Sequence, residues 1–269
     1  MSTVEAVTSE KLLHVDSVGE GPDVVLLHGW GMHGGYWQGL VDELKQDYRL
    51  HCIDLPGHGK SDYSNEQSID DFVRRVGQTI ECLTDKAFHL IGWSLGGLIG
   101  QRLTLHYPDN VKRLMLIASS PSFMQRDGWL HAMPESVLKG FADNLLLDYK
   151  ATLNRFLALQ VRGSEQQQQG LRELKTQLFS RGEPDQTALK TALGLLQQVD
   201  LRESLCSINK PVMLIGGERD TLVPQAALPE TARLLPQAAV HIVKGAGHAP
   251  FLSHPVEMVK LIKAFIAYE

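Results

Sequence analysis

Short apolar runs rich in Val, Leu and Ile recur along the chain, and segments long enough to form a helix separate them. Six runs have this form: Val24–Leu27, Leu50–Ile53, Phe88–Ile91, Leu114–Ile117, Val212–Ile215 and Val240–Val243. Their alternation with helix-length segments predicts a mostly parallel sheet covered by helices on both faces. An earlier run, Leu12–Val18, ends at Gly19-Glu20-Gly21-Pro22 and predicts an antiparallel hairpin strand at one edge. The pattern is that of an α/β protein.

The strand-like runs stop between Ser119 and Leu205. Helical patterns follow one another there instead: Val137–Leu147, Leu153–Val161 and Leu171–Leu178. A purely helical stretch inside an alternating chain predicts an insertion over one edge of the sheet. The chain has 269 residues, 43% of them hydrophobic, which suits one core. We therefore expect a core domain made of residues 1–120 and 200–269, and a helical cap at 121–199.

Charge and apolar content limit the partners of the chain. It has 26 Lys and Arg against 31 Asp and Glu, a net charge of −5, and lacks the basic excess that duplex nucleic acid requires. No apolar run approaches the roughly 18 residues of a membrane span, and residues 1–11 lack the features of a secretion signal. Three scattered cysteines suit neither a disulfide framework nor a CxxC metal site, and we expect them in the core. We expect a cytoplasmic protein that binds neither nucleic acid nor membrane.

The segment Gly92-Trp93-Ser94-Leu95-Gly96 lies between the predicted strand Phe88–Ile91 and a predicted helix, Leu95–Tyr107. This is the strand–turn–helix setting of a nucleophile elbow, in which a serine occupies a sharp turn and its hydroxyl projects from the sheet. Glycines on either side let strand and helix approach each other closely. The motif alone is weak, and the alternative is that Ser94 is a turn residue between two glycines. The setting favours Ser94 as a nucleophile.

A serine hydroxyl becomes an effective nucleophile only with a base and an acid that orients the base. Behind an elbow of this kind the chain order is serine, acid, histidine. Asp220 and His248 each follow a predicted strand, at the sheet edge where α/β proteins carry their sites. The alternatives are a helix N-cap for Asp220 and a structural loop histidine for His248, and Glu218 is a competing acid. We predict Ser94, Asp220 and His248 as the catalytic residues.

A tetrahedral intermediate also needs two N–H groups for its oxyanion. Leu95, directly after the serine, supplies one, and we expect Trp30 in the loop His28-Gly29-Trp30-Gly31 to supply the other. The indole rings of Trp30 and Trp93 have packing as the alternative role. We expect His28 and His58 to hydrogen-bond the loop backbone near the site.

Competing motifs are incomplete. Gly59-Lys60-Ser61 resembles the end of a phosphate-binding loop, but Asp54 stands where the first glycine belongs. His241, His248 and His254 match no usual zinc spacing. We predict no metal and no cofactor.

These motifs resemble the α/β-hydrolase family over nearly the full length, and within it the family of pimeloyl-[acyl-carrier protein] methyl ester esterases of biotin synthesis. The segments that carry the resemblance are Leu26-Leu27-His28-Gly29-Trp30-Gly31, Asp54-Leu55-Pro56-Gly57-His58-Gly59-Lys60-Ser61, Gly92-Trp93-Ser94-Leu95-Gly96-Gly97, Ala118-Ser119-Ser120-Pro121, Arg155-Phe156-Leu157-Ala158-Leu159-Gln160, Val199-Asp200-Leu201-Arg202, Ala246-Gly247-His248-Ala249-Pro250-Phe251 and Ser253-His254-Pro255. The cap segment is the most specific, because caps vary most among these hydrolases.

The resemblance implies a serine esterase that cleaves the methyl ester of a pimeloyl chain attached to its carrier. It implies the triad and oxyanion residues named above. It also implies that the substrate touches a set of residues at the elbow, the loops and the cap: Trp30, Ser94, Leu95, Phe156, Leu157, Ala158, Leu159, Gln160 and His248. For the cap residues, packing within the cap is the alternative. Other functions left open are a broad short-chain carboxylesterase, a carbon–carbon bond hydrolase and a non-catalytic binding module.

The partner implied by the resemblance is an acyl carrier protein, which is acidic. Residues 150–181 hold six Lys and Arg against two acidic residues. Such a local basic face steers an acidic partner. The residues predicted to dock the carrier are Lys150, Arg155, Arg162 and Arg172. The alternative for each is a solvated helix face, and we expect a monomer.

Overall fold

The computed structural model of the chain describes residues 11–162 and 167–267. Residues 1–10, for which no secretion signal is predicted, lie outside this range. Within it, one sheet contains seven strands: β1 (Val15–Val18), β2 (Asp23–Leu27), β3 (Arg49–Ile53), β4 (Phe88–Trp93), β5 (Val111–Ile117), β6 (Val212–Gly217) and β7 (Ala238–Val243). Their spatial order is β1-β3-β2-β4-β5-β6-β7, and every pair except β1 with β3 is parallel.

Helices cover the sheet and connect its strands. The α-helices of the described residues are α1 (Gln38–Leu44), α2 (Ile69–Glu81), α3 (Leu95–His106), α4 (Glu135–Leu147), α5 (Tyr149–Gln160), α6 (Gln167–Gln177), α7 (Gln186–Gln198), α8 (Ala227–Arg233), α9 (Pro250–Ser253) and α10 (Pro255–Ala267). All residues of the central strands β2 and β4 are buried, as expected for a parallel sheet with helices on both faces. The predicted α/β fold class is confirmed.

The predicted hairpin at the first strand is wrong in one respect. β1 is an antiparallel edge strand, but it pairs with β3 rather than with β2, and Ser17 lies opposite His51. Gly19 and Gly21 have φ of 88° and 111°, and they lie against the backbone of residues 45–48, which leads into β3. Because the crossover through α1 returns β3 as a parallel neighbour of β2, the edge of β2 is already occupied.

Helices α4 to α7 all lie in the chain between β5 and β6. They rest on the loops that follow the first core strands: Leu153 of α5 contacts Gly31, and Ala188 of α7 lies against Gly57. Arg181, in the link between α6 and α7, forms ion pairs with Asp54 and with Asp16 of β1. The division into a core and a cap at 121–199 stays a prediction, and these contacts are where its two parts would meet.

The cysteines are free thiols, and only Cys52 packs in the core. Cys82 and Cys206 are exposed, so the expectation that all three are core residues is wrong for these two. In the part of the chain that the structure describes, no helix is long and apolar enough to cross a membrane. Nor do three or more His, Cys, Asp or Glu side chains of these residues come together as a group that could hold a metal ion.

Candidate active site

Ser94 occupies the sharp turn between β4 and α3. Its φ of 54° and ψ of −117° lie outside the regions that non-glycine residues normally populate, which costs about 1–3 kcal/mol. The glycines around it permit the turn: a Cβ on Gly92 would lie 2.5 Å from the carbonyl oxygen of Gly96, and a Cβ on Gly96 would lie 2.2 Å from that of Leu27. Strand and helix backbones are therefore in direct contact on both sides of the serine.

The backbone of Ser94 is held by neighbouring strand ends. Its N–H donates to the carbonyl of Ile117 at 2.9 Å, and its carbonyl accepts from the hydroxyl of Ser119 at 2.8 Å. The Ser94 side chain makes no capping hydrogen bond to α3. The hydroxyl is therefore not used as a helix cap, although a serine at a helix start normally is.

Asp220 and His248 meet at the carboxyl ends of β6 and β7. Nδ1–H of His248 donates to Oδ2 of Asp220 at 2.7 Å, and both side chains are fully buried. The other oxygen of Asp220 accepts from the backbone N–H of Leu222 at 2.8 Å and of Val223 at 3.0 Å. Nε2 of His248 has no hydrogen-bond partner within residues 11–162 and 167–267. Because an aspartate on Nδ1 keeps the proton there, Nε2 carries a lone pair that can accept a proton.

Glu218, the competing acid, contacts the histidine loop but not the imidazole. Its Oε2 accepts from the backbone N–H of Gly245 at 2.9 Å. Glu218 therefore supports the loop that carries His248, and the carboxylate that touches the ring belongs to Asp220.

The loop after β2 lies beside the serine. A Cβ on Gly29 would lie 3.3 Å from Cβ of Ser94, so Gly29, the residue before Trp30, lies directly next to the elbow. Leu95 is the first residue of α3, and its N–H has no acceptor inside the helix. The structure thus places the loop that carries Trp30 beside the turn that carries Ser94 and Leu95, and the oxyanion hole itself stays a prediction.

Two buried histidines hold these loops, as expected. Nδ1–H of His28 donates to the carbonyl of Gly29 at 2.8 Å, and its Nε2 accepts from the N–H of Leu55 at 2.9 Å. Nδ1 of His58 bonds the carbonyl of Pro56 at 2.9 Å. Burial, together with neighbouring cationic or imidazole groups, lowers the pKa of both histidines. A neutral imidazole suits His28, because its two hydrogen bonds need one donor and one acceptor.

Helix α5 contacts two of the predicted site residues, Trp30 and His248. The ring of Phe156 meets that of Trp30 edge to face at 4.9 Å, and the indole N–H of Trp30 donates to the carbonyl of Leu189 in α7 at 2.8 Å. The carbonyl of Gln160 accepts from the backbone N–H of His248 at 2.8 Å. Phe156 and Gln160 share one face of α5, four residues apart, so both reach the elbow side.

The remaining cap residues of the predicted substrate site lie elsewhere on α5. Leu157 is fully buried, and Ala158 is half-buried. Leu159 lines a groove of about 260 Å³ between α4 and α5, together with Phe141 and Arg155. Leu159 therefore faces this groove, whereas Phe156 contacts Trp30.

The basic residues predicted to dock a carrier differ in their surroundings. Lys150 is paired with Glu183, and Arg172 lies in a separate groove of about 990 Å³ beside α6. Arg155 and Arg162 are exposed at the middle and end of α5. Arg181, one of the six basic residues counted in 150–181, forms ion pairs with the buried Asp54 and with Asp16 of the edge strand β1.

One contact at the site has no signal in the sequence. The indole N–H of Trp93, the residue before the serine, donates to the carbonyl of His248 at 2.9 Å. The two residues are 155 positions apart, and a tryptophan in a buried strand is by itself typical of packing. Only the fold reveals this bond.

Comparisons with known proteins show the family of the chain. A family model described as the alpha/beta hydrolase fold matches residues 22–255. Proteins named pimeloyl-[acyl-carrier protein] methyl ester esterase from Aeromonas hydrophila and Nitrosomonas europaea are 40% and 41% identical over 252 and 255 residues, covering 94% of this chain and 98% of each relative. One of the same name from Xanthomonas campestris is 40% identical over 255 residues, 95% of this chain and 99% of that protein.

Solved structures share the fold at lower identity. An esterase from Exiguobacterium antarcticum has a TM-score of 0.88 at 21% identity, covering 95% of this chain and 96% of that chain. A bromoperoxidase from Bacillus anthracis has a TM-score of 0.87 at 22% identity, covering 94% and 95%. The chain belongs to the α/β-hydrolase fold family and, within it, to the family of pimeloyl-[acyl-carrier protein] methyl ester esterases.

Proposed function

We propose that the protein is a serine carboxylesterase that hydrolyses pimeloyl-[acyl-carrier protein] methyl ester to pimeloyl-[acyl-carrier protein] and methanol, a step of biotin synthesis. The observation that carries the proposal is the buried Asp220–His248 pair. It lies at the same sheet edge as Ser94, whose backbone is strained and whose hydroxyl makes no capping hydrogen bond to α3. The names of the relatives supply the substrate.

The chemistry follows from the roles of these groups. Nε2 of His248 removes the proton of the Ser94 hydroxyl, which attacks the methyl ester carbonyl. Asp220 holds the imidazole in the required tautomer and stabilises its charged form. The N–H groups of Trp30 and Leu95 bind the oxyanion. Methanol leaves after protonation by His248, and water then releases the acid by the same route.

The acyl chain is the next question, because the thioester at its far end is the more reactive group and must survive. The rings of Trp30, Phe156 and Phe141 contact one another in a row, at 4.9 and 5.7 Å between centroids. We propose that the chain lies along this row and along Leu157, Ala158, Leu159 and Gln160, which keeps the thioester away from Ser94. A carboxylate product fits such an apolar path poorly, which favours its release.

The carrier is expected to dock on the exposed cationic side of the cap. Arg155 is the best placed of the predicted docking residues, because it lies on the rim of the groove that Leu159 lines. Arg162 lies near it in sequence and is exposed, whereas Lys150 and Arg172 contribute less, since one is paired and the other lies in a different groove. We infer a cytoplasmic monomer without cofactor, and the free cysteines fit a reducing compartment.

The test is mass spectrometry of methyl-pimeloyl carrier protein incubated with the enzyme, beside p-nitrophenyl butyrate as a small ester. A mass decrease of one methylene, with the thioester intact, is expected with the native protein and not with Ser94→Ala. Hydrolysis of the small ester alone would make the protein a broad carboxylesterase. No hydrolysis of either ester and no labelling by a fluorophosphonate would contradict the esterase proposal and favour a binding module.

A further inference from the structure

The peptide backbone of His248 is held from two opposite directions. Its carbonyl accepts a hydrogen bond from the indole of Trp93 at 2.9 Å, and its N–H donates to the carbonyl of Gln160 at 2.8 Å. Trp93 belongs to the elbow, and Gln160 is the last residue of α5. His248 is 1% exposed, so water cannot easily replace either partner.

Trp93 is well fixed for this role. It is fully buried, and its ring packs edge to face against Phe251 at 4.9 Å and lies 6.3 Å from the ring of Trp37. Its indole N–H therefore has little freedom to leave the carbonyl of His248. Because Trp93 directly precedes Ser94, it is in the elbow and at the same time holds the backbone of His248 by a hydrogen bond.

The contact on the cap side is equally close. A Cβ on Gly247 would lie 2.9 Å from the carbonyl oxygen of Gln160, the acceptor of the His248 N–H. One turn earlier on α5, Phe156 contacts Trp30. A shift of α5 would therefore move the backbone of His248 as well as the ring beside the oxyanion loop.

We propose that Trp93 and the end of α5 are positioning groups for His248. They hold its backbone N–H and carbonyl between the elbow and the cap as a clamp, and so set where Nε2 lies. The proposal rests on the proposed esterase function. Displacement of a catalytic group by about 1 Å costs about 100-fold in rate, so the clamp acts on turnover more than on binding. The cap thereby sets the position of the base as well as covering the site.

Trp93→Phe tests the elbow side, since it removes the donor and keeps an aromatic ring. With p-nitrophenyl butyrate we expect kcat to fall roughly 10- to 100-fold, with KM within about twofold of the native value. The matched control is Trp37→Phe in the same aromatic cluster, where the indole N–H has no partner among the described residues. The control loses the same ring volume, and we expect its kcat to stay within about threefold.

Gly247→Ala tests the cap side independently, because the new methyl group pushes against the carbonyl of Gln160. We expect a similar fall in kcat. Its control is Gly194→Ala in α7, where the nearest atom to the added Cβ is 3.9 Å away. Alanine there favours the helix and should leave turnover unchanged.

A spectroscopic readout separates positioning from loss of packing. The proton shared by His248 and Asp220 gives a low-field NMR resonance, assigned by its absence in Asp220→Asn. We expect it to shift or broaden in Trp93→Phe and Gly247→Ala and to stay unchanged in both controls. Equal losses of kcat in Trp93→Phe and Trp37→Phe, or an unchanged resonance in both clamp variants, would overturn the proposal. Failure of the native protein to hydrolyse any ester would refute the esterase function instead, and the resonance would still report on the clamp.

Discussion

Asp220→Asn is the sharpest test of the site, because the structure determines how the new amide must sit. The oxygen Oδ1 of Asp220 accepts two backbone hydrogen bonds, from Leu222 at 2.8 Å and Val223 at 3.0 Å. In the variant the amide oxygen keeps these two donors, so the NH₂ group must face Nδ1 of His248. Nδ1 then accepts a hydrogen bond, and the ring proton moves to Nε2.

A protonated Nε2 cannot take the proton of Ser94. The same substitution in a serine protease triad lowers kcat about 10⁴-fold, which corresponds to about 5 kcal/mol of transition-state stabilisation at 1.36 kcal/mol per factor of ten. Both side chains here are fully buried and their bond is 2.7 Å long, so neither solvent nor another donor relieves the wrong tautomer. We expect a loss of about 10³- to 10⁴-fold in kcat with folding intact.

The assay is steady-state hydrolysis of p-nitrophenyl butyrate, together with the rate of labelling by a fluorophosphonate and a thermal melt. Glu218→Gln is the matched control, two residues away in the same loop, and its amide oxygen can still accept from Gly245. We expect it to keep at least a third of the native kcat. Retention of more than a tenth of kcat in Asp220→Asn, or an equal loss in Glu218→Gln, would refute the assignment of the acid.

Three further outcomes are expected. Gly96→Ala places a Cβ 2.2 Å from a backbone carbonyl of β2, and it should destabilise the fold by about 3 kcal/mol or prevent folding. The control in urea unfolding is Gly100→Ala on the same helix, where the added Cβ meets only ordinary van der Waals contacts. Glu66→Gln leaves the buried guanidinium of Arg75 without its carboxylate partner and should cost about 3–5 kcal/mol in a urea titration; a loss under 1 kcal/mol would show that the charge finds another partner. Burial and two nearby cationic side chains lower the pKa of His89 to about 4. Between pH 6.5 and about 4 the unfolded chain therefore binds a proton at His89 that the folded chain does not, and stability falls as the pH drops. His89→Gln should show a smaller drop in urea midpoint between pH 7 and pH 4.5 than the native protein.

Local patterns in the sequence predicted most of the fold. The six apolar runs became the six parallel strands. In β2 and β4 the reason is burial on both faces, which requires consecutive apolar residues. The elbow was equally readable, since its glycines are required by contacts within a few residues of Ser94 or with the adjacent strand. The chain order of serine, acid and histidine came from the elbow motif. Asp220 and His248 were chosen because each follows a predicted strand, and the carboxyl ends of parallel strands lie at one edge of the sheet.

The partner of each side chain depended on the tertiary structure. β1 was predicted as an edge strand, but its pairing with β3 follows from the path of the crossover through α1. In the same way, the imidazole bonds Asp220 rather than Glu218, and the indole of Trp93 reaches His248 from a position 155 residues away. Sequence patterns report which face of an element is apolar, a property of residues two to four positions apart. Whether two distant segments form a hydrogen bond instead depends on their relative position to within a few tenths of an ångström. Packing of the whole core decides that position.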